Sequence, residues 1–249
     1  MIDLSVVIPA YLEEENLRLL LPRVHAALTA LQVTHEVLVV DTETPMDHTG
    51  DVCGANGAIC VKRSGGNTYG CAVRTGIGAS SGARVIFMDA DGSHAPEFIA
   101  DLYGSAGDAD IVIASRYVEG GATENPGSLI LMSRALNLLY TICLGIRCKD
   151  VSNSFKLYNG DRLRALTLGC ENFDIVEEIL VKYSLCCPNM RIIELPFVFK
   201  KRMFGQTKRN LALFVLSFAA TLGRLVAIRV RHRLHVPQGK PAIKKQDVL

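Results

Sequence analysis

Short, almost wholly apolar runs alternate with longer segments of helical periodicity along the first half of the chain. Such runs, rich in Val and Ile, are typical of buried strands. They occur at 4–8, 36–40, 59–61, 84–88 and 110–114. The segment 13–31 repeats its apolar residues at helical spacing, and shorter helices are predicted at 70–79 and from Pro96. Because the strands are apolar on both faces, the pattern predicts an α/β fold in which helices sandwich a mostly parallel, Rossmann-like sheet.

The second half of the chain has a less regular pattern. Helical periodicity returns at 128–144, 173–185 and 210–235. The last of these segments is apolar at first and then basic, which predicts an amphipathic helix. We therefore expect one domain over 1–209, an amphipathic C-terminal helix over 210–235, and a disordered basic tail over 236–249.

Charge is divided unevenly along the chain. The formal net charge is only +2, yet residues 1–199 hold 15 Lys and Arg against 24 Asp and Glu, whereas residues 200–249 hold 12 against one. This asymmetry excludes a uniformly basic nucleic-acid-binding protein and indicates two different roles along one chain.

Composition narrows the class of protein further. Of the 249 residues 49% are hydrophobic, which is enough for a sizeable core and excludes wholesale disorder. No run reaches about 18 consecutive apolar residues, so a membrane-spanning helix is not expected. No basic segment precedes the first apolar run, and the eight cysteines form no C-x-x-C pair. We therefore expect a cytosolic chain with free thiols rather than disulfides or a zinc site.

Acidic residues follow several of the predicted strands directly. Asp89 and Asp91 end the run 84–88, where two carboxylates can share Mg²⁺ or Mn²⁺, although a solvated turn is the simpler interpretation. Asp41 ends the run 36–40 and can bind a ribose diol or cap a turn. Ligands of open α/β sheets bind at the carboxyl ends of the strands, so these acids predict an active site there. Neither a G-x-G-x-x-G sequence after the first strand nor a P-loop is present, which argues against a dehydrogenase or P-loop NTPase.

Six segments, taken in order, resemble the glycosyltransferases of family 2, which have the GT-A fold, and more closely their dolichyl-phosphate (polyprenyl-phosphate) mannosyltransferase-like branch. The segments are Val7–Asn16, Val40–Thr44, Asp89–Pro96, Ser115–Gly121, Asp150–Phe155 and Phe199–Lys208. The last is similar to F-x-x-R-x-x-G-x-[ST]-K, which distinguishes the branch from many other members of the family. Three positions depart from the usual pattern: Leu12 replaces Asn, Thr42 begins an altered turn after Asp41, and Ser154 replaces Gly.

The resemblance implies a binding site for a nucleoside-diphosphate sugar. It implies that five residues contact this donor: Pro9, Tyr11, Glu13, Asp41 and Asp89. The first three would line the nucleobase pocket, and Asp41 would bind the ribose.

The resemblance also implies that a metal and two cations act on the diphosphate. Asp89 and Asp91 would hold Mg²⁺ or Mn²⁺, and Arg202 and Lys208 would close over the leaving group, whose negative charge grows in the transition state. Together with Arg116, the residues Asp91, Arg202 and Lys208 form the predicted catalytic set.

The acceptor is predicted from its charge. A phosphate monoester is already anionic near neutral pH and needs cations rather than a general base, and Arg116 and Arg134 are the candidates. The resemblance adds Ser154 and Glu178 to the acceptor side, although Glu178 is equally explained as an ordinary helix carboxylate. It also implies an inverting displacement.

These expectations favour metal-dependent transfer of a sugar, of mannose type, to a polyprenyl or dolichyl phosphate. The chain would lie peripherally on the cytoplasmic face of a membrane, held there by the basic helix 210–235, and deleting 210–249 should weaken that association. That helix could instead be a core or dimer element, so a homo-oligomer or a membrane-protein partner stays an open alternative. Two other functions also stay open: a family 2 enzyme with a saccharide hydroxyl acceptor, and a catalytically silent nucleotide-binding partner at a membrane.

Overall fold

The computed structural model describes residues 1–204 and a helix over 211–235, and within that helix the side chains of residues 219–231. Residues 205–210 and 236–249 lie outside the described residues. The predicted clamp residue Lys208 and the predicted basic tail therefore receive no structural description.

Among the residues that the structure describes, nine strands form two sheets. The strands are β1 (Leu4–Pro9), β2 (His35–Asp41), β3 (Ile59–Lys62), β4 (Arg84–Phe87), β5 (Ile111–Ser115), β6 (Ala122–Thr123), β7 (Lys156–Asn159), β8 (Ile192–Pro196) and β9 (Val198–Phe199). Seven of them form the central sheet in the order β3-β2-β1-β4-β7-β5-β8, and β6 pairs with β9. In the central sheet only β7 is antiparallel to its neighbours. The predicted mostly parallel sheet is confirmed.

Eight α-helices are described. They are α1 (Glu14–Leu31), α2 (Thr49–Ala55), α3 (Tyr69–Ala79), α4 (Ile99–Gly104), α5 (Gly127–Leu144), α6 (Gly160–Arg164), α7 (Ile175–Cys186) and α8 (Leu211–His235). They cover both faces of the sheet, since alternate side chains of β1 enter two separate cores. Val6 and Ile8 pack in the core that contains α1, whereas Val7 packs in the core that contains α3. This alternation follows from the period of two along a strand.

Helix α5 exposes apolar side chains that a soluble helix would normally bury. Its buried residues are Asn137, Tyr140 and Leu144, whereas Leu131 is 71% exposed and Ile142 is 69% exposed. By length and composition alone, Gly127–Leu144 is long and apolar enough to cross a membrane. The expectation that no helix spans a membrane was based on uninterrupted apolar runs, whereas Gly127–Leu144 contains Arg134 and qualifies only in a window that tolerates one charge.

Helix α8 packs against α5 and α7. Thr221 and Leu225 are buried, and the Arg224 guanidinium lies 4.0 Å from the carboxylate of Asp174. Part of the helix predicted to lie on a membrane is thus bound to its own domain. The eight cysteines are free thiols, as predicted.

Candidate active site

Two carboxylates stand at the carboxyl end of β4, in the centre of the sheet. The hydroxyls of Tyr69 and Ser154 donate to Asp89 Oδ1 at 3.4 Å and 3.0 Å. The backbone amide and the hydroxyl of Ser93 donate to Asp91 Oδ1 at 3.0 Å and 2.6 Å. The two side chains are 21% and 22% exposed, so each carboxylate is held by the protein on one side and open on the other.

The turn after these acids depends on glycine. Gly92 has φ +79°, and a Cβ there would lie 2.5 Å from the Met203 side chain. Backbone amides of Lys200 and Met203 donate to the carbonyls of Ser93 and Asp91 at 3.2 Å and 2.9 Å. The segment 200–204 therefore lies directly on the acid pair, although it is more than a hundred residues away in sequence.

The side chain of His94 contacts the backbone of the acid pair from inside the domain core. Its fully buried ring is stacked on Phe155 with 4.7 Å between centroids, and its Nδ1 accepts the backbone N–H of Asp89 at 2.9 Å. Burial lowers the pKa of His94, although the charges of Asp89 and Asp91 oppose this effect. The ring is consequently neutral near pH 7 and positions the backbone of Asp89.

An ion pair joins the beginning of α1 to the same site. Arg202 forms an ion pair with Glu13, and its Nη1 lies 3.7 Å from Asp91 Oδ2. Asn16 donates from Nδ2 to Glu13 Oε2 at 2.6 Å, and its Oδ1 accepts the amide of Phe204 at 3.2 Å. The structure thus brings two predicted donor-site residues, Glu13 and Arg202, against the acid pair.

The neighbouring strand ends complete the donor side. Pro9 ends β1, and Tyr11 follows it with 36% of its surface exposed. Asp41 ends β2 and is 4% exposed. Burial raises the pKa of Asp41, which the amide and hydroxyl of Thr42 and the charge of Arg63 partly oppose. The hydrogen bonds and the charge of Arg63 do not fully offset the cost of burying this carboxylate, so it is a good acceptor for the hydroxyls of a ligand.

A second cluster of charge lies at the end of β5. Arg116 donates from Nε and Nη2 to the two oxygens of Asp150 at 2.8 Å and 2.7 Å, and from Nη2 to Ser152 at 3.0 Å. Burial disfavours the charged guanidinium, but the bonds to Asp150 outweigh this and raise the pKa of Arg116. Asp150 is fully buried, and Glu194 accepts its backbone amide at 3.0 Å. Arg116 is therefore a permanently charged group in a fixed place.

Arg134 of α5 lies near the same tyrosine ring as Arg116. Its guanidinium carbon lies 5.4 Å from the ring centre of Tyr117, and that of Arg116 lies 5.1 Å from it. Both distances are within the range of cation–π attraction. Two like charges are thus held near one aromatic ring, an arrangement that an anion would stabilise.

Glu178 uses its carboxylate within the protein. It accepts the amides of Gly169 and Cys170 at 2.9 Å and 2.7 Å and forms an ion pair of 2.9 Å with Lys182. The loop that it holds leads to Phe173, whose ring stacks on Tyr69 with 4.1 Å between centroids. Contact of Glu178 with an acceptor would require these bonds to break.

Glu178→Ala is expected to lower the free energy of unfolding by about 2 kcal/mol at pH 7, because the buried amide of Cys170 and the more exposed amide of Gly169 lose their acceptor. Burial alone would raise the pKa of Glu178, but the bonds from Lys182 and the two amides lower it below its ordinary value. Its stabilising effect is therefore complete above the ordinary pKa and is lost as the pH falls through the lowered one. Urea titrations at pH 7 and pH 3.5 should show the difference between the variant and wild type shrinking.

The exposed acid Glu43 provides the control for this measurement. Glu43→Ala should change the free energy of unfolding by less than about 0.5 kcal/mol. Equal stability of Glu178→Ala and wild type at pH 7 would contradict the role of Glu178 in holding the loop.

Sequence reasoning missed several residues of the site. Tyr69, Ser93, Tyr117 and Asp150 all contact predicted site residues. Ser93 and Tyr117 are close to their partners along the chain, whereas Tyr69 and Asp150 are remote from theirs. Asp150 falls in a matched motif, which was a signal that it matters but not that it pairs with Arg116. Tyr117 likewise falls in the matched segment Ser115–Gly121, whereas Tyr69 lies in none of the matched segments.

The sequence of this chain is similar to those of known glycosyltransferases. The sequence profile described as Glycosyl transferase family 2 matches residues 5–166. The undecaprenyl-phosphate mannosyltransferase of Micrococcus luteus is 33% identical and matches 82% of this chain and 86% of its own. The dolichol-phosphate mannosyltransferase of Pyrococcus furiosus is also 33% identical over 82% of this chain, which spans 58% of that longer protein. The polyprenol monophosphomannose synthase of Mycolicibacterium smegmatis is 30% identical over 82% and 80% of the two chains.

Solved structures share the fold. Glucosyl-3-phosphoglycerate synthase of Mycobacterium tuberculosis, in complex with phosphoglyceric acid, superposes with a TM-score of 0.69 at 20% identity, over 91% of this chain and 80% of that one. The same enzyme in complex with Mn²⁺, UDP and glucosyl-3-phosphoglycerate superposes with a TM-score of 0.64 at 19% identity, over 93% of this chain and 80% of that one. At this level of identity the likeness concerns the fold, which is of GT-A type.

Proposed function

Because this chain belongs to glycosyl transferase family 2 and is therefore a glycosyltransferase, we propose that it transfers a sugar from a nucleoside-diphosphate sugar to the phosphate of a polyprenyl phosphate. The names of its relatives from Micrococcus luteus and Mycolicibacterium smegmatis support both the acceptor class and mannose as the sugar. The two arginines near one tyrosine ring are the observation that carries the proposal, because two cations placed there would bind a phosphate.

The acceptor side favours a phosphate over a saccharide hydroxyl. A hydroxyl acceptor needs a carboxylate with a free oxygen as general base. Here the carboxylates of Asp150 and Glu194 accept hydrogen bonds from the protein on both oxygens. Arg116 donates through Nε and Nη2 to Asp150 and Ser152, so Nη1 is the nitrogen that would donate to a phosphate, and Arg134 adds a second charge.

The donor diphosphate would be bound with Mg²⁺ or Mn²⁺ at Asp89 and Asp91. One oxygen of each carboxylate is used by the hydrogen bonds described above, whereas Asp89 Oδ2 lies 3.9 Å from His94 and Asp91 Oδ2 lies 3.7 Å from Arg202, both beyond hydrogen-bond distance. Two hard oxygens therefore fit such a cation. The described residues contain no cluster of three or more acidic, His or Cys side chains arranged for a metal, so diphosphate oxygens would supply further ligands. A cation held by Asp89 and Asp91 would neutralise charge on the leaving diphosphate.

The reaction would proceed by direct displacement. Arg116 and Arg134 would hold the acceptor phosphate. One of its oxygens would attack the anomeric carbon of the donor sugar while the bond between that carbon and the diphosphate oxygen breaks. Attack from the opposite face inverts the configuration, and the nucleoside diphosphate leaves with the bonding electron pair. Arg202 stands 3.7 Å from Asp91 and can stabilise this growing charge. Glu13, Tyr11 and Asp41 would hold the nucleoside, and Lys208 remains a predicted second clamp.

A transfer assay tests this function against its alternative. Purified chain with Mn²⁺ is offered GDP-mannose, UDP-glucose and UDP-N-acetylglucosamine in turn, each with a short-chain polyprenyl phosphate or with an oligosaccharide. We expect a lipid-linked sugar phosphate of inverted anomeric configuration from one of the donors. Transfer to the oligosaccharide alone would establish the hydroxyl acceptor instead, and no transfer or donor hydrolysis at all would contradict the proposed function.

The acceptor would be met at a membrane through the exposed face of α5. Leu131, Leu138 and Ile142 recur there at helical spacing, and Arg134 lies on the same exposed side. The helix contains no acidic residue. Because Tyr140 and Leu144 on its other side are buried in the domain core, the helix would lie in the interface of an anionic bilayer rather than cross it. We propose that this face, with α8, holds the chain on the cytoplasmic side, where nucleotide sugars are available.

Replacing Leu131 and Ile142 together by Gln is expected to weaken binding to phosphatidylglycerol-containing vesicles at least tenfold, because each inserted side chain is worth about 1.5–3 kcal/mol. Stability should be unchanged, since both residues are exposed. Leu19→Gln, an exposed leucine of α1, is the control in the same sedimentation assay. Unchanged vesicle binding would contradict the lipid contact, and a shift from dimer to monomer would identify this face as a protein interface.

A further inference from the structure

Arg63 is a buried arginine that the donor site described above does not include. It follows β3 directly and is 3% exposed. Its Nε donates to the carbonyl of Asp41 at 3.1 Å, and its Nη1 donates to those of Asn67 and Thr68 at 3.0 Å and 3.2 Å. Its Nη2 donates to the carbonyls of Ala10 and of Val40, the latter at 3.3 Å. A guanidinium has five N–H groups, and here each one is bonded to the main chain.

The five carbonyls belong to three separate segments of the donor side. Ala10 immediately precedes Tyr11, and Asp41 is itself the predicted ribose ligand. Thr68 caps α3 and immediately precedes Tyr69, whose hydroxyl donates to Asp89. One side chain therefore joins the backbone at the nucleobase, ribose and metal positions of the proposed donor site.

Only arginine suits this position. Burial lowers the pKa of Arg63, while the carboxylate of Asp41 opposes that effect, and an arginine keeps its charge in either case. Lysine has three N–H donors on one atom and would leave at least two of the carbonyls without a partner. Loss of these bonds would let the three segments move relative to one another.

We propose that Arg63 is a positioning residue for the nucleoside diphosphate of the donor, acting through the main chain of these three segments. This inference rests on the proposed function, because it assumes that the donor binds at the ends of β1, β2 and β4. It differs from direct recognition of the base, since no N–H of Arg63 is left to contact one. Replacing Arg63 should therefore weaken the binding of every nucleoside diphosphate to a similar degree, whichever base it carries.

Arg63→Lys is tested by calorimetric titration with GDP, UDP and ADP, each in the presence of Mn²⁺. Whichever nucleotides the wild type binds should bind the variant at least about tenfold more weakly, as is usual when a supporting residue of a binding site is lost. The matched control is Arg84→Lys, because Arg84 also donates to backbone carbonyls, those of Ala109 and Gly107, at 2.8 Å and 2.7 Å. Arg84 is the first residue of β4 and lies at the end of that strand opposite to Asp89 and Asp91, so its variant should lose stability without losing nucleotide affinity.

The outcomes separate this inference from the proposed function. Wild-type chain that binds no nucleoside diphosphate would overturn the proposed donor and this inference with it. Wild-type chain that binds one, with equal affinity in Arg63→Lys, would overturn this inference alone. Weakening confined to one of several bound bases would indicate direct contact with the base and also overturn it.

A measurement on the wild type keeps the inference testable if Arg63→Lys does not fold. Hydrogen exchange followed by mass spectrometry should show residues 10–12, 41–44 and 64–69 exchanging in one cooperative step. Addition of Mn²⁺ with the bound nucleotide should protect the three segments together. Independent exchange of the three segments would contradict the positioning role.

Discussion

Asp91→Asn is expected to reduce the rate of sugar transfer by roughly 10²- to 10³-fold, the usual cost of removing one electrostatic contact to a leaving group. The amide keeps an oxygen that can accept from Ser93, so the turn after β4 should survive. What is lost is the negative charge that would bind the cation on the diphosphate. The unfolding temperature should not fall, because Asp91, Asp89 and Glu13 are like charges gathered in one place.

Initial rates at saturating Mn²⁺ and donor provide the measurement for Asp91→Asn. Asp101→Asn, an exposed acid of α4, is the matched control and should transfer at the wild-type rate. Full activity in Asp91→Asn would contradict the proposed role of the acid pair. Loss of activity together with a fall in the unfolding temperature would show instead that Asp91 is needed for the fold.

Arg116→Lys is expected to reduce transfer to a polyprenyl phosphate by about 10²-fold while donor hydrolysis in the absence of acceptor persists. Lysine keeps the charge but cannot form the two parallel bonds to Asp150, so the cation no longer points at the acceptor. The buried carboxylate of Asp150 would also lose hydrogen bonds from the guanidinium, which should lower the free energy of unfolding by about 2 kcal/mol. The KM for the acceptor should rise and that for the donor should not.

Arg134→Lys separates the two effects of the Arg116 substitution. Arg134 is exposed, so its replacement should weaken acceptor binding about tenfold without a measurable loss of stability. If neither variant changes the KM for the acceptor, the two arginines do not form the phosphate site. If donor hydrolysis falls in parallel with transfer, Arg116 acts on the donor rather than on the acceptor.

Much of the donor side was predictable because it depends on local patterns. Asp41 and Asp89 follow apolar runs directly, and parallel strands place such residues at one edge of the sheet. The ion pair of Glu13 with Arg202 joins residues 189 positions apart, and the bond from Ser154 to Asp89 spans 65 positions. No periodicity or spacing specifies such pairs, since they depend on how separate elements pack.

The environment of a side chain was less predictable than its presence. Glu178 was expected on the acceptor side, and its carboxylate is instead bonded to the loop before α7. Helix α5 was predicted, yet which of its faces is exposed follows from where Tyr140 and Leu144 dock. Arg63 carries no sequence signal at all, because its partners are main-chain carbonyls, which every residue possesses.

The sequence by itself therefore determined the α/β class, the mostly parallel sheet, the family and the acidic residues at the strand ends. These follow from apolar periodicity and short motifs, which are properties of neighbouring residues. The tertiary structure alone decided that Arg116 and Arg134 both lie near Tyr117, that Arg63 joins three segments, and that α5 exposes Leu131, Leu138 and Ile142. Each of these depends on distances between segments remote in sequence, which the packing of helices on the two faces of the sheet sets.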